Sequence, residues 1–287
     1  GPRSLGDRRR GNGAAATVLT PEVLDKVRER LKARPDDGGV WTSKKVAAFM
    51  AGELGRSVSE QRGWEALRAV EWTLQRPRPQ HAEGATPEEQ ATFKKLGAAV
   101  AEEAERHPGA TVEVFATDEH RIGLKPIVRR VWAPKGQRPI ARGHHRFEWL
   151  YVTVFVSPAT GESHWYLGTG VDKELFADTL ALFAREAGAG PDRIILLVLD
   201  GAGWHTAPDL AVPEGIRLVY LPPYTPELQP AETLWVHVDE PIVNKHFATL
   251  ADLDAVVATR CVKLANDPDL IRGQTGFHWW PKRAIPI

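Results

Sequence analysis

The sequence contains very little sulfur. Its 287 residues include a single cysteine, Cys261, and a single methionine, Met50. One cysteine excludes a disulfide scaffold and any zinc or iron–sulfur site built from several cysteines, as is typical of proteins from reducing compartments. The longest apolar run, residues 194–199, has the length of a strand and cannot cross a membrane. No apolar stretch follows the arginines at 8–10, so the pattern of a secretory signal is missing. We therefore expect a soluble, cytoplasmic protein.

The sequence also lacks net charge, because 37 Lys and Arg balance 37 Asp and Glu. The balance hides an uneven distribution, since residues 121–150 carry eight basic residues and a single acid, Glu148. Basic islands in a neutral chain are typical of proteins that bind a polyanion on one face, although solvated surface arginines would give the same composition. The chain has 43% hydrophobic and 26% charged residues, which is ordinary globular usage, and its length predicts about two domains.

Residues 20–81 have the pattern of a winged helix-turn-helix domain. Helix-start signals at Thr20, Thr42 and Ser59 predict three short helices, with a glycine-containing turn between the second and the third. The alternating residues 70–74 then predict the strand of a wing. A generic three-helix bundle is the alternative to DNA binding. If the wing binds DNA, the arginines after that strand are its contacts: Arg76 and Arg78.

The segments on either side of this domain are predicted to be linkers. Residues 1–19 are rich in Gly, Arg and Ala and predict a basic, flexible lead-in. Residues 82–109 predict a linker followed by an amphipathic helix, which is capped at Thr86.

Residues 110–287 change in character and predict an α/β domain. We expect a mixed sheet with helices on both faces, because strand-like and helix-like segments alternate along this part of the chain. The predicted strands are residues 111–117, 127–132, 149–156, 164–167, 194–199 and 216–221. The predicted helices are residues 172–186, 230–244 and 250–265.

Three acids fall where such a sheet can bring them together. Asp118 ends the first strand of this domain, Asp200 follows the buried strand 194–199, and Glu232 opens a helix after a proline-rich turn. Ligands of open α/β sheets bind at the carboxyl ends of the strands. Three neighbouring carboxylates repel one another unless cations neutralise them, and Mg²⁺ favours such oxygen ligands. Any one of these acids alone would more often cap a helix or fill a turn.

The residues around these acids carry a resemblance to a known family. The three blocks are Asp118-Glu119-His120-Arg121-Ile122-Gly123-Leu124, Leu199-Asp200-Gly201-Ala202-Gly203-Trp204-His205 and Leu221-Pro-Pro-Tyr-Thr-Pro-Glu-Leu-Gln-Pro-Ala-Glu232-Thr-Leu-Trp235. Together they resemble the acidic blocks of bacterial insertion-sequence transposases of the mariner superfamily, and the proline-rich third block is the most specific. The resemblance covers nearly the whole chain. The loop before Ile216 is shorter than the resemblance implies.

The resemblance implies a ribonuclease-H-like core preceded by the all-α winged helix-turn-helix domain. It further implies a DDE triad of Asp118, Asp200 and Glu232 that binds two Mg²⁺ or Mn²⁺ ions. The implied reaction is cut-and-paste movement of a DNA segment between terminal inverted repeats, with insertion at TA, by a homodimer on paired ends at the nucleoid. The arginine-rich start resembles a linker between two helix-turn-helix units, so we expect a further such unit upstream of residue 1.

Several other residues have weaker claims to function. Glu119 and Glu227 are acids near the triad and rank below it. His205 follows Asp200 closely and is a candidate phosphate contact, although a hydrogen-bonded turn histidine is the alternative. Further candidate contacts to the DNA backbone lie in the basic island: Arg121, Lys125, Arg129 and Arg130. Charged residues at strand edges, which protect against aggregation, are the alternative for Lys125, Arg129 and Arg130.

Two further functions remain open at this point. A DNA-binding protein that recognises terminal repeats without cutting them, such as a domesticated or truncated transposase, would have the same domains. A ribonuclease H that acts on RNA–DNA hybrids would share the core. The complete set of three acids weighs against the first alternative, and the preceding winged helix weighs against the second.

Overall fold

A computed structural model gives the fold of residues 18–75, 83–137, 139–143 and 146–282. The chain divides into two compact units, Gly1–Pro79 and Gln80–Ile287. Most of the predicted basic lead-in lies outside the described residues, as do Arg76 and Arg78 of the predicted wing. Over the described ranges, no helix combines the length and the apolar character that a membrane span needs.

The first unit contains three helices, as predicted: α1 (Pro21–Leu31), α2 (Ser43–Leu54) and α3 (Glu60–Ala69). The Thr20 and Thr42 hydroxyls accept hydrogen bonds from backbone amides in the first turns of α1 and α2, which satisfies donors that a helix leaves unpaired. Gly63 allows α2 and α3 to approach closely, because a Cβ there would lie 2.0 Å from the carbonyl oxygen of Ser43. The apolar side chains of the three helices share one core.

The strand predicted for residues 70–74 is wrong. Val70 ends α3 and is buried in the three-helix core, and Glu71 turns the chain with a φ of 64°. Residues 72–75 form no regular secondary structure. The alternating pattern has a different cause: Val70 faces the helical core, whereas Trp72 and Leu74 are exposed. Trp64 of α3 is also exposed, and the guanidinium of Arg68 lies 5.9 Å from its ring centroid.

The second unit is a mixed α/β fold whose elements begin with two helices. These are α4 (Pro87–Phe93) and α5 (Leu96–Arg106). The strands are β1 (Thr111–Gly123), β2 (Trp149–Val156), β3 (Ser163–Gly168), β4 (Arg193–Leu199) and β5 (Ile216–Tyr220). The later helices are α6 (Lys173–Glu186), α7 (Trp235–Asp239), α8 (Leu250–Ala265) and α9 (Pro268–Thr275), with single 3₁₀ turns at Pro226–Leu228 and Pro230–Leu234.

The strands form one sheet in the order β3-β2-β1-β4-β5. Strand β1 is central, pairing antiparallel with β2 and parallel with β4. Side chains alternate between the two faces, and each face has its own core. One core packs against α6, and the other packs against α5, α8 and the turns that follow β5. This arrangement confirms the predicted mixed sheet with helices on both faces.

Three predicted elements need correction, and one helix was not predicted. Residues 127–132 form no strand, because β1 runs on to Gly123 and pairs there with β2, so the chain leaves the sheet before Pro126. The helix predicted within 82–109 is two helices, separated at Lys94 and Lys95. The helix predicted over 230–244 ends at Asp239, and α9 was not predicted.

Candidate active site

The strand register brings Asp118 and Asp200 to the same edge of the sheet. Strands β1 and β4 run parallel, and their last paired residues are Ala116 and Val198. Two residues further along each strand, the chain reaches Asp118 and Asp200. Because carboxyl ends of parallel strands form the ligand-binding edge of an open sheet, both acids lie where such a site is expected.

The proline-rich segment after β5 carries Glu232 to this edge. Gln229 is buried and ties the segment to β1, since its Nε2 donates to the Thr117 carbonyl oxygen at 2.8 Å. The side-chain oxygen of Gln229 accepts from the Ala231 amide at 3.3 Å, which starts the 3₁₀ turn that bears Glu232. The amide side chain of Gln229 therefore fixes the position of the third acid relative to the first.

Asp118, Asp200 and Glu232 line one pocket of about 490 Å³. The remaining lining residues are mostly apolar and come from the turn after β4 and the proline-rich segment: Gly201, Ala202, Leu221, Pro222, Pro223, Tyr224, Thr225, Pro226 and Gln229. The volume falls in the range of ordinary ligand sites. Over the described ranges, no three acidic, histidine or cysteine side chains stand close enough to form a ready-made metal cluster.

Asp118 is the most perturbed acid of the site. Burial, together with the neighbouring charges of Glu119 and Glu232, raises the pKa of Asp118 to about 7. The indole Nε1 of Trp235 donates to Asp118 Oδ2 at 3.0 Å, and this bond offsets part of the shift. The ring of Trp235 is held in turn by His120, which stacks on it with centroids 5.0 Å apart.

His205 is enclosed between two carboxylates. Its side chain is buried, with Nδ1 2.7 Å from Asp200 Oδ1 and Nε2 3.1 Å from Glu119 Oε1. Burial alone would lower the pKa of His205, but the hydrogen bonds to Asp200 and Glu119 outweigh it and raise the pKa to about 9. The bond from His205 also lowers the pKa of Asp200. This geometry fits the hydrogen-bonded turn histidine, because the ring faces two acids instead of solvent.

Adjacent acids of β1 point in opposite directions, because side chains alternate along a strand. Asp118 faces Trp235 and the pocket, whereas Glu119 faces His205 on the other side of the sheet. Glu227, the other acid ranked below the triad, accepts a hydrogen bond from Gln90 of α4 at 2.9 Å. Burial raises the pKa of Glu232, and the charges of Asp200 and Glu227 raise it further.

The basic residues predicted to contact DNA have different environments. Arg121 lies on β1 with its guanidinium 4.5 Å from the ring centroid of Trp149. Lys125 and Arg130 are exposed. Arg129 forms ion pairs with Asp239 at 3.4 Å and Glu240 at 3.1 Å, and a phosphate would have to compete with both acids.

Two contacts at the site have only a faint signal in the sequence. Gln229 stands directly before Pro230 in the third block, and its side-chain oxygen accepts from the Ala231 amide just past that proline. A buried indole N–H usually finds an acceptor, and for Trp235 that acceptor is a carboxylate oxygen of Asp118. Both residues reach β1 from more than a hundred residues away in sequence.

Comparisons with known proteins identify both parts of the chain. Residues 113–254 match the family described as DDE superfamily endonuclease, and residues 37–96 match the winged helix-turn-helix family. The protein y4pE/y4sA of Sinorhizobium fredii (strain NBRC 101917 / NGR234), described as uncharacterized, is 34% identical over 140 residues, which span 47% of this chain and 99% of that protein.

The fold is similar to that of a solved transposase. The Mos1 mariner paired-end complex with Mn superposes with a TM-score of 0.52 at 16% identity, over 89% of this chain and 78% of that one. The Mos1 transposase paired-end complex with left transposon end gives a TM-score of 0.50 at 15% identity, over 90% and 79%. At these identities, the likeness establishes the fold.

The family matches define a DDE superfamily endonuclease domain preceded by a winged helix-turn-helix domain. The chain belongs to the DDE superfamily endonuclease family. The resemblance drawn from the three acidic blocks is therefore confirmed at the level of the family.

Proposed function

We propose that the chain is a DNA transposase, a divalent-metal-dependent endonuclease and strand transferase that acts on the terminal inverted repeats of the element encoding it. The observation that carries this proposal is the pocket shared by Asp118, Asp200 and Glu232 within a DDE superfamily endonuclease domain. Cut-and-paste movement with insertion at TA belongs to the same proposal. So do a homodimer that holds paired ends and a location at the nucleoid.

The chemistry of the donor set fits Mg²⁺ or Mn²⁺. Asp118, Asp200 and Glu232 supply the hard oxygen ligands that these ions favour, and the raised pKa values of Asp118 and Glu232 show that their negative charges are incompletely compensated. Two bound ions would supply Lewis acidity for in-line phosphoryl transfer at a DNA phosphate. The three carboxylates are the residues that would hold them.

The chain's own residues prepare this site before any substrate binds. Trp235 fixes one oxygen of Asp118, and His205 fixes one oxygen of Asp200, so neither carboxylate rotates freely. Gln229 sets the turn that bears Glu232. Such preorganisation lowers the cost of placing charge where the reaction needs it. Our proposed contacts to the DNA backbone include Lys125 and Arg130, which are exposed.

Cleavage and binding of one DNA duplex test the proposal. The duplex carries the inverted repeat that flanks the gene, labelled at one end and incubated with and without Mg²⁺. We expect Mg²⁺-dependent cuts at the end of the repeat by the wild-type protein. Asp200→Asn should bind the duplex with unchanged affinity and cut at least a hundredfold more slowly. Asp178→Asn, which changes an exposed acid of α6, is the matched control and should cut normally.

Other outcomes would favour one of the alternative functions or remove a residue from the triad. Specific binding without cleavage by the wild-type protein would mean that the chain only recognises the repeats. Cleavage of an RNA–DNA hybrid in preference to the repeat duplex would mean a ribonuclease H activity. Cutting by Asp200→Asn at the wild-type rate would remove Asp200 from the triad.

A further inference from the structure

Tyr224 holds an unusual backbone conformation at the mouth of the candidate active site. Its φ is 53°, in the left-handed region that a bulky residue other than glycine rarely adopts. The residue lines the same pocket as the three acids, and 54% of its surface is exposed. Strained residues persist only where the surrounding structure imposes them, and they cluster at sites that bind ligands.

The turn around Tyr224 is fixed from both sides. The Thr225 hydroxyl donates to the Pro222 carbonyl oxygen at 2.6 Å, and Thr225 itself is buried. The Ala85 amide donates to the Pro223 carbonyl oxygen at 3.1 Å. Because the neighbouring residues are held in this way, the aromatic ring of Tyr224 is attached to a rigid frame.

The pocket has two chemically different sides. Asp118, Asp200 and Glu232 provide the acidic side, and the prolines of the turn together with Leu221 provide an apolar side that includes Tyr224. Lys and Arg are missing from the lining in the part of the chain that the structure describes. No basic side chain of the lining therefore attracts a phosphate to Tyr224, whereas a flat, neutral group matches the apolar side.

We propose that Tyr224 stacks against the base of a nucleotide next to the reacting phosphate, after this base has left the stack of its neighbours. The inference rests on the proposed function, since it names how the same site holds its DNA. Every base offers a π-face, so an aromatic side chain can take any of them without reading sequence. Stacking on protein rings also stabilises bases that leave a duplex.

Two substitutions at the same position separate stacking from structure. Tyr224→Phe keeps the ring and loses the hydroxyl, whereas Tyr224→Leu keeps apolar bulk and loses the π-face. We expect Phe to cleave the terminal-repeat duplex within about twofold of wild type and Leu to be slower by about tenfold, in line with the usual contribution of one stacked base. The melting temperatures of both variants should match each other, because both residues share the same backbone strain.

A photochemical crosslink provides a readout that does not need cleavage. The duplex carries 5-iodouracil in turn at each position beside the cut, and it is irradiated with the protein in Ca²⁺ buffer that prevents cutting. Mass spectrometry should locate the crosslink at residue 224 in wild type and in Tyr224→Phe. The crosslink should be lost in Tyr224→Leu, even at protein concentrations that saturate the duplex.

The two readouts distinguish this inference from the function on which it rests. A wild-type protein that crosslinks at Tyr224 but never cuts would overturn the endonuclease and keep the contact. A protein that cuts normally but crosslinks elsewhere, with equal yield in Tyr224→Leu, would overturn the contact and keep the endonuclease.

Discussion

Strand β1 carries Glu113 near its amino-terminal end and Asp118 near the end of its pairing with β4, and the two acids have different partners. At the amino-terminal end, Arg193 donates to Glu113 at 2.9 Å and to Glu162 at 2.7 Å. Burial would raise the pKa of Glu162, but hydrogen bonds from His164 and Arg193 outweigh it and lower the pKa. At the carboxyl end, the hydrogen-bond partner of Asp118 is the neutral indole of Trp235, and its pKa rises to about 7.

The difference shows that this fold neutralises the buried carboxylate of Glu113 with a cation and leaves Asp118 without one. Arg193 fills the amino-terminal end with a fixed positive charge, so that end has no need of an external ion. Asp118 and Glu232 keep unfavourable negative charge on the pocket side. Without a metal ion, such charge destabilises the folded protein, and it favours the binding of a cation. Functional sites commonly trade stability for activity in this way.

The largest expected effect comes from removing Arg193, the cation that neutralises Glu113. Arg193→Met leaves Glu113 buried beside an apolar side chain, since the Glu113 side chain is only 2% exposed. Removing one partner of a buried ion pair costs about 3–5 kcal/mol, and we expect the free energy of unfolding to fall by that amount. Urea unfolding followed by circular dichroism measures the change.

Two variants check this result. Arg272→Met breaks an exposed pair with Asp269 and should cost less than about 1 kcal/mol. Combining Arg193→Met with Glu113→Leu should recover part of the loss, because the buried carboxylate is then removed together with its cation. A loss no larger than that of Arg272→Met would mean that Arg193 contributes little to the amino-terminal end.

The second largest expected effect comes from removing the negative charge of Asp118. Asp118→Asn keeps the acceptor for Trp235 and removes the charge, so we expect a gain of a few kcal/mol in the free energy of unfolding at pH 8 without metal. The folded wild type holds a proton on Asp118 up to a pKa of about 7, whereas the unfolded chain releases it near its ordinary value of 3.8. Wild-type stability should therefore fall between about pH 4 and pH 7, relative to the variant.

The difference between the two unfolding curves isolates Asp118 from other titrating groups. Asp178→Asn, on the exposed face of α6, should follow the wild-type pH dependence. Added Mg²⁺ at pH 8 should stabilise the wild type more than Asp118→Asn, because binding to the folded state raises its stability. Equal pH dependence in wild type and Asp118→Asn would show that Asp118 carries no raised pKa.

The smallest expected effect concerns backbone strain at Tyr224, which lines the pocket. Tyr224→Gly removes the side chain that disfavours a φ of 53°, and we expect a net gain of about 0.5–1 kcal/mol after the entropy cost of glycine. Asn244 has a similar φ of 58°, but its side chain bonds both backbone groups of Arg129 at 3.0 Å. Asn244→Gly should therefore destabilise the protein. Thermal unfolding of both variants measures the contrast, and a loss in both would refute stored strain at Tyr224.

The sequence was most informative where local chemistry and tertiary structure agree. The alternating and apolar patterns predicted β2, β4 and α8 closely, because these elements are buried on the faces that their patterns indicate. Asp118 and Asp200 could be placed at one edge of the sheet because each follows a strand. Their roles in catalysis, like those of the basic residues, remain predictions.

The structure departed from prediction where distant residues decide the outcome. Residues 127–132 have strand-like composition, but Asn244 holds the backbone there through hydrogen bonds to Ile127 and Arg129. The pairing of Arg193 with Glu113 joins residues on two parallel strands, and no local pattern identifies such partners. The contact between Trp235 and Asp118 has the same origin, since only the completed fold brings them together.

The register of β1 has a consequence for how this gene can change over evolutionary time. Asp118 and Glu119 face opposite sides of the sheet, and pairing with β4 fixes the strand through Ala116. Insertion of one codon within β1 would turn Asp118 away from the pocket, because the residues of the two faces of the strand would exchange places. The loop of residues 206–215, which follows the buried His205, has a weaker restriction, because Gln229 holds Glu232 to β1 independently of that loop. We therefore expect related genes to differ in length there, and to keep the length of β1.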